Sequence, residues 1–173
     1  MTSQAEIRIY VACLAAYNNG ILHGAWIDAY QDADAIRDAI AGMLKASPEP
    51  DAEEWAIHDY GGFEGLRLSE YEGIDEVADK AAFVAEHGSL GAEMVSYYGG
   101  DLEEARKAID EHYAGEFRSV AEFAAELTVD TTEIPEGLRF YVDYERMARD
   151  MEMGGDILAV ATAFEEVHIF WRH

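Results

Sequence analysis

The sequence has one cysteine, three prolines and three lysines in 173 residues. A lone cysteine, Cys13, closes no internal disulfide and fits a reducing cytoplasm. With three prolines and an apolar fraction of 50%, the chain falls outside the low-hydrophobicity disordered class. Apolar runs are short. None nears the ~18 residues needed to span a bilayer, and the acidic Glu6 is out of place in a secretory leader. Positive charge is scarcest of all: 12 basic residues face 36 acidic ones, for a net charge of −24. The excess is spread along the chain, with −7 in residues 1–60, −6 in 61–100 and −11 in 101–173. A block of like charge would mark a tail, whereas an even spread marks a folded object that is negative along its length. Such a protein is expected to avoid nucleic acid and anionic membrane, and to seek a basic surface. The strongest basic surfaces in cells are those that hold nucleic acid.

Enzyme signatures are also lacking. There is no glycine-rich phosphate loop, Walker lysine, G-x-S-x-G elbow or H-E-x-x-H pair. The stretch "DADAIRD" offers Asp32, Asp34 and Asp38 without the central glycine and closing glutamate of an EF-hand. Glu111, His112 and Glu116 could touch a metal, yet the histidines at 23, 58, 87, 112, 168 and 173 have no ligand spacing. His58 and His168, set in strands, read as hydrogen-bonded structural residues; Cys13 reads as a small apolar residue, and Trp26, Trp55 and Trp171 as anchors. No metal or cofactor is expected.

What is present reads as an α+β chain of three small units in a row. Residues 1–60 hold a strand at Ile7–Ala12, a turn at Asn19-Gly20, a returning strand in "HGAWIDAY", a helix with Ile36, Ile40, Met43 and Leu44 on one face, and a third strand at Glu54–Tyr60. Residues 61–100 read as helical. A capping-box pair, Ser69 and Glu72, opens one helix, Gly88 stops it, and a shorter helix runs to Gly99-Gly100. Residues 101–173 begin with two short helices joined at "YAGEF", the first facing inward through Leu102, Ala105, Ile109 and Tyr113. A third helix covers "EGLRFYVDYERMARDMEMGG", and a hairpin has strands near 157–162 and 167–171. The run Arg139–Met147 is either helix core or a subunit contact.

The helices carry carboxylates at repeating intervals. Asp34/Asp38, Glu72/Glu76, Asp75/Asp79 and Glu122/Glu126 stand four apart, about 6 Å along a helix axis. Asp101, Glu103, Glu104, Asp110 and Glu111 line the first helix of the last unit. Like charges four apart destabilise a helix by roughly 0.2–0.5 kcal/mol per pair. One DNA strand carries a phosphate about every 3.4 Å along the axis, so carboxylates on neighbouring elements can approximate a phosphate field. The bland readings are a solvated face, anions at helix N-termini, caps at Glu72 and Glu122, and adaptation to high salt. Composition alone favours these.

The wording of the chain then points further. "IYVACLAAYNNGILHGAWIDA" (9–29), "WAIHDYGGFEG" (55–65), "DLEEARKAIDEHYAGEFRSVAEFAAEL" (101–127), "YVDYERMARDMEMGGD" (141–156) and the terminal "VHIFW" occur in order. Together they resemble the ArdA antirestriction family over essentially the whole length. That resemblance implies a protein of mobile elements that inhibits type I restriction–modification enzymes. It acts as a DNA mimic in the cleft of their methyltransferase core, as a homodimer joined through its C-terminal unit. No catalytic residue is implied. The thirteen carboxylates at 34, 38, 72, 75, 76, 79, 101, 103, 104, 110, 111, 122 and 126 are the expected mimic surface. Phe140, Tyr141 and Phe170 are the expected dimer contacts. Two alternatives remain open at this point, a salt-adapted acidic domain and a small carboxylate-dependent hydrolase.

Overall fold

The computed structural model describes residues 6–172; His173 lies outside the described residues. It holds an α+β chain in two compact units, residues 1–102 and 103–173. The segment 61–100, expected as a unit of its own, falls within the first.

In that first unit, β1 (Arg8–Cys13) is the central strand, with β2 (Gly24–Asp28) and β3 (Trp55–Gly61) antiparallel on either side. Alternation explains the layering. Ile9 and Val11 are fully buried while Arg8 and Tyr10 point outward. Tyr10 stands opposite Trp26 in register, their rings 5.4 Å apart, and the Arg8 guanidinium lies 4.4 Å over the indole. A short helix, α1 (Leu14–Asn18), lengthens the β1–β2 connection beyond a tight hairpin. Helix α2 (Ala33–Lys45) packs on β2 and β1 through Ile36, Ile40 and Met43, the stripe its 3.6-residue period dictates.

The helical stretch α3 (Ile74–Tyr97) also packs on α2. Gly73 is its N-cap, so the helix opens later than Ser69 and Glu72 implied. Those two close a turn ahead of it: the Ser69 N–H donates to the Glu72 carboxylate, and the Ser69 hydroxyl accepts from Tyr71 N–H. Gly88 interrupts α3 at φ 61°, ψ −146°, separating the two helices the sequence implied.

In the second unit α4 (Leu102–Lys107) runs into a single π-type turn at Ala108–His112, and "YAGEF" continues as strand β4 (Tyr113–Phe117). The expected helix-to-helix joint is therefore a strand. The extra residue in the π turn changes the helix phase, so Ala105 and Ala108 are the buried residues and Tyr113 leaves the helix altogether. After it come α5 (Val120–Thr131), α6 (Tyr144–Met153), β5 (Ile157–Ala163) and β6 (Glu166–Trp171), the sheet order being β4-β6-β5, all antiparallel. The expected long third helix is split: a 3₁₀ stretch at Glu136–Tyr141, then α6, whose N-cap Asp143 accepts from Arg146 N–H at 3.0 Å. Phe123, Ile157 and Ile169 form the core, closed by Phe117, Leu127, Met151 and Trp171. The Phe123 ring meets Phe117 and Trp171 edge-on at 5.1 and 5.6 Å.

Two glycines separate backbone strain from helix propensity. Gly88 has open space around a hypothetical Cβ, but its φ/ψ suits only glycine. Gly88→Ala should therefore lose about 1–3 kcal/mol in urea unfolding. Gly42, inside α2 and equally open, should gain about 0.5–1 kcal/mol on conversion to alanine.

Candidate acidic interaction surface

No charged or polar side chain is buried among the described residues. Of the 36 carboxylates, 32 are exposed and four, Glu49, Glu72, Glu122 and Glu166, are half-buried. The first unit carries 19 acids against 5 bases and the second 17 against 7.

The thirteen expected surface carboxylates sort by environment. Asp34 and Asp38 project from α2, and Asp75, Glu76 and Asp79 from α3, all exposed. Arg37 ties the two helices together, donating to Asp34 Oδ1 at 3.0 Å and Asp75 Oδ2 at 2.9 Å. The hydrogen bond to Asp75, followed by that to Asp34, holds its guanidinium above its ordinary pKa. One cation thus gathers a cluster drawn from two helices, which sequence spacing along either one could not reveal. In the second unit Glu103, Glu104, Asp110, Glu111 and Glu126 are exposed, as is Asp101 at the end of the first.

Glu72 and Glu122 are the exceptions. Glu72 precedes α3, so Glu72 and Glu76 do not form a helical i, i+4 pair. Its side chain, 13% exposed, pairs with Lys80 and accepts the Ser69 N–H. Burial works to raise its pKa, but the hydrogen bonds from Lys80 and Ser69, with the Lys80 charge, hold it below the usual carboxylate range. Glu122 caps α5: its N–H donates to Ser119 Oγ at 3.1 Å, and its carboxylate accepts from Arg118 N–H at 2.6 Å. Both are structural anions first.

Of the expected dimer contacts, Phe140 is 98% and Tyr141 82% exposed on the 3₁₀ stretch, whereas Phe170 is 1% exposed and packs against Tyr113. Phe170 lies in the interior, its ring 5.2 Å from that of Tyr113, so it offers nothing to a partner. The alternation of "VHIFW" gave no sign of which strand would be central. A shallow groove of about 350 Å³ lies beside α5 and Tyr144, lined by Ala125, Glu126, Val129 and Asp130.

His58 lies against Tyr17 edge-on at 4.9 Å and 3.7 Å from Glu70. His168 bridges Tyr113 and Thr162, as a structural histidine should. Sequence reading missed the set around it, since Glu116, Glu166 and Thr162 reach His168 only through strand pairing. Cys13 is buried, its Sγ 3.3 Å from Ser47 Oγ. No helix among the described residues is long and apolar enough to cross a membrane.

The sign of the Glu72 shift sets a test. A folded-state pKa below the unfolded one gives stability that is present above the ordinary glutamate range and lost as pH falls through the lower value. Glu72→Gln should therefore be less stable than the parent at neutral pH, and the gap should close on acidification below about pH 4. Urea titrations at stepped pH measure it.

A family model described as antirestriction protein (ArdA) matches residues 9–166. No curated protein matches the chain. The chain belongs to the ArdA antirestriction family.

Proposed function

We propose that this antirestriction protein works as a DNA mimic, occupying the DNA-binding cleft of type I restriction–modification enzymes at their methyltransferase core. The observation that carries the reading is the exposure of 32 carboxylates over both units with none buried. A cleft that holds duplex DNA is lined by cations that are screened by, and exchange, small counterions. Exposed carboxylates that replace phosphate in such a cleft gain the same entropy of counterion release. Charges on both units allow many weak contacts in place of one strong one. The protein is then an inhibitor without turnover, acting in the cytoplasm where restriction takes place.

We also propose that it dimerises through the C-terminal unit, using the 3₁₀ stretch. Leu138, Phe140 and Tyr141 expose large apolar surface within four residues. Contiguous exposure of this kind marks an interaction site.

The test is displacement of labelled duplex from a type I methyltransferase core at two salt concentrations. Stoichiometric displacement that weakens as salt rises is expected. No displacement at low salt rejects the proposal and leaves salt adaptation, which predicts unfolding in dilute buffer. Turnover that one substitution abolishes would instead support the hydrolase. Exposed charge contacts are worth about 0.2–1 kcal/mol each. Asp38→Asn alone should change affinity by less than about fivefold. Neutralising Asp34, Asp38, Asp75, Asp79, Glu103, Glu104, Glu111 and Glu126 together should cost at least about 1.6 kcal/mol, more than tenfold. For the dimer, Phe140→Ser with Tyr141→Ser should yield monomer by light scattering with the unfolding midpoint little changed; a persisting dimer places the interface elsewhere.

A further inference from the structure

We propose that Glu116, Glu166 and His168 form a binding site for a divalent first-row transition metal on the C-terminal sheet. One ligand atom from each residue lies within 4.8 Å of the others. The sheet builds this convergence: Glu116 of β4 stands directly opposite His168 of β6, and Glu166 lies two residues earlier, on the same face of β6. Bonds of about 2.0–2.2 Å to a tetrahedral ion require the donors to close further. Glu116 is exposed and can supply that movement by side-chain rotation.

The surroundings of His168 favour a metal over a chance meeting of charges. Its side chain is 12% exposed, so the ring is held by the sheet while its edge reaches the carboxylates. Tyr113 Oη lies 2.7 Å from Nδ1. A ligating histidine needs such a partner on its other nitrogen, which fixes ring orientation and tautomer. The π turn and the bulge between Tyr113 and Gly115 are what deliver Tyr113 to that position.

Hydrogen-bond accounting shows that the ligand can be made. Thr162 donates its hydroxyl hydrogen to Glu166 at 2.6 Å and accepts from His168 Nε2, 3.0 Å away. Nε2 therefore carries the hydrogen, and Nδ1 accepts from Tyr113. Metal at Nε2 displaces the hydrogen bond to Thr162 and takes the other neutral tautomer: the ring hydrogen moves to Nδ1, where Tyr113 Oη turns to accept it. No net charge is lost. A mixed nitrogen and oxygen set of this kind suits Zn²⁺ and its neighbours over Ca²⁺. The bound ion would staple edge strand β4 to β6.

The test is titration of the intact protein with Zn²⁺ alone in 0.3 M salt, which screens loose binding by the other carboxylates. Imidazole nitrogen NMR identifies the ligand. One equivalent is expected, shifting the His168 Nε2 resonance into the metal-bound range and leaving His23 and His58 unmoved. His168→Gln and Glu116→Gln should each weaken binding at least tenfold, while Glu133→Gln should not. Glu116 is exposed, so that variant carries the test if His168→Gln fails to fold. Several weak equivalents that salt abolishes, or one equivalent that leaves His168 unmoved, would overturn the site.

Discussion

Mutual repulsion among 36 carboxylates, opposed by only 12 cations, is the constraint on which the rest of this structure depends. Burying an unpaired carboxylate costs several kcal/mol, so every one of them must reach the surface. The core is built almost wholly from Ile, Val, Phe, Met and Ala. Each unit pairs a three-stranded sheet with helices, a small ratio of core to surface that leaves ample area for charge. Repulsion is then eased at a few fixed points. Arg37 holds α2 and α3 together between Asp34 and Asp75, Lys80 anchors Glu72, and Glu122 and Asp143 are spent on helix N-termini, where the backbone supplies positive potential.

This division explains what could be read from sequence. Helix α2 was legible because its 3.6-residue apolar stripe is clean, and β1, β2 and β3 because β-branched and aromatic residues cluster between turn signals, even though Val11–Cys13 and Ala56–Ile57 are buried in succession. The final hairpin was legible from its β-branched and aromatic residues on either side of a short turn. "YAGEF" was not. Its five residues include Gly115 at φ 130°, and Ile109 and Tyr113 stand four apart as in a helix. Only pairing with β6, more than fifty residues away, makes it a strand. A period cannot report a partner.

Two residues show the same limit at the candidate surface. Ser69 and Glu72 have the spacing of a capping box, and the reciprocal bond from Ser69 N–H does form. The helix nevertheless starts only at Gly73: the Ser69 hydroxyl accepts from Tyr71 N–H in place of Glu72 N–H, and the Glu72 carboxylate also pairs with Lys80, eight residues on. Ser119 and Glu122, with the same spacing, do cap their helix: the Ser119 hydroxyl accepts Glu122 N–H, and the Glu122 carboxylate reaches one residue further back to Arg118 N–H. Phe140 and Phe170 looked alike as aromatic candidates for an interface; Phe170 packs inside on β6, whereas Phe140 stands exposed on a 3₁₀ stretch outside the sheet.

The surface charge and the fold are therefore separable to an unusual degree. Asp38 and Asp79 stand exposed on helix faces, each four residues from a like charge, where lysine would be more favourable. That cost supports the proposal that the anionic surface serves binding and not folding. Family membership supplies the context for that use, since restriction enzymes must bind DNA before they can cut it. Under the proposed mimicry, distributed charge needs no precise pocket and tolerates substitution at any one position. The same economy makes the Glu116–Glu166–His168 set stand apart, because there the carboxylates are placed by register around a fixed imidazole and not merely displayed.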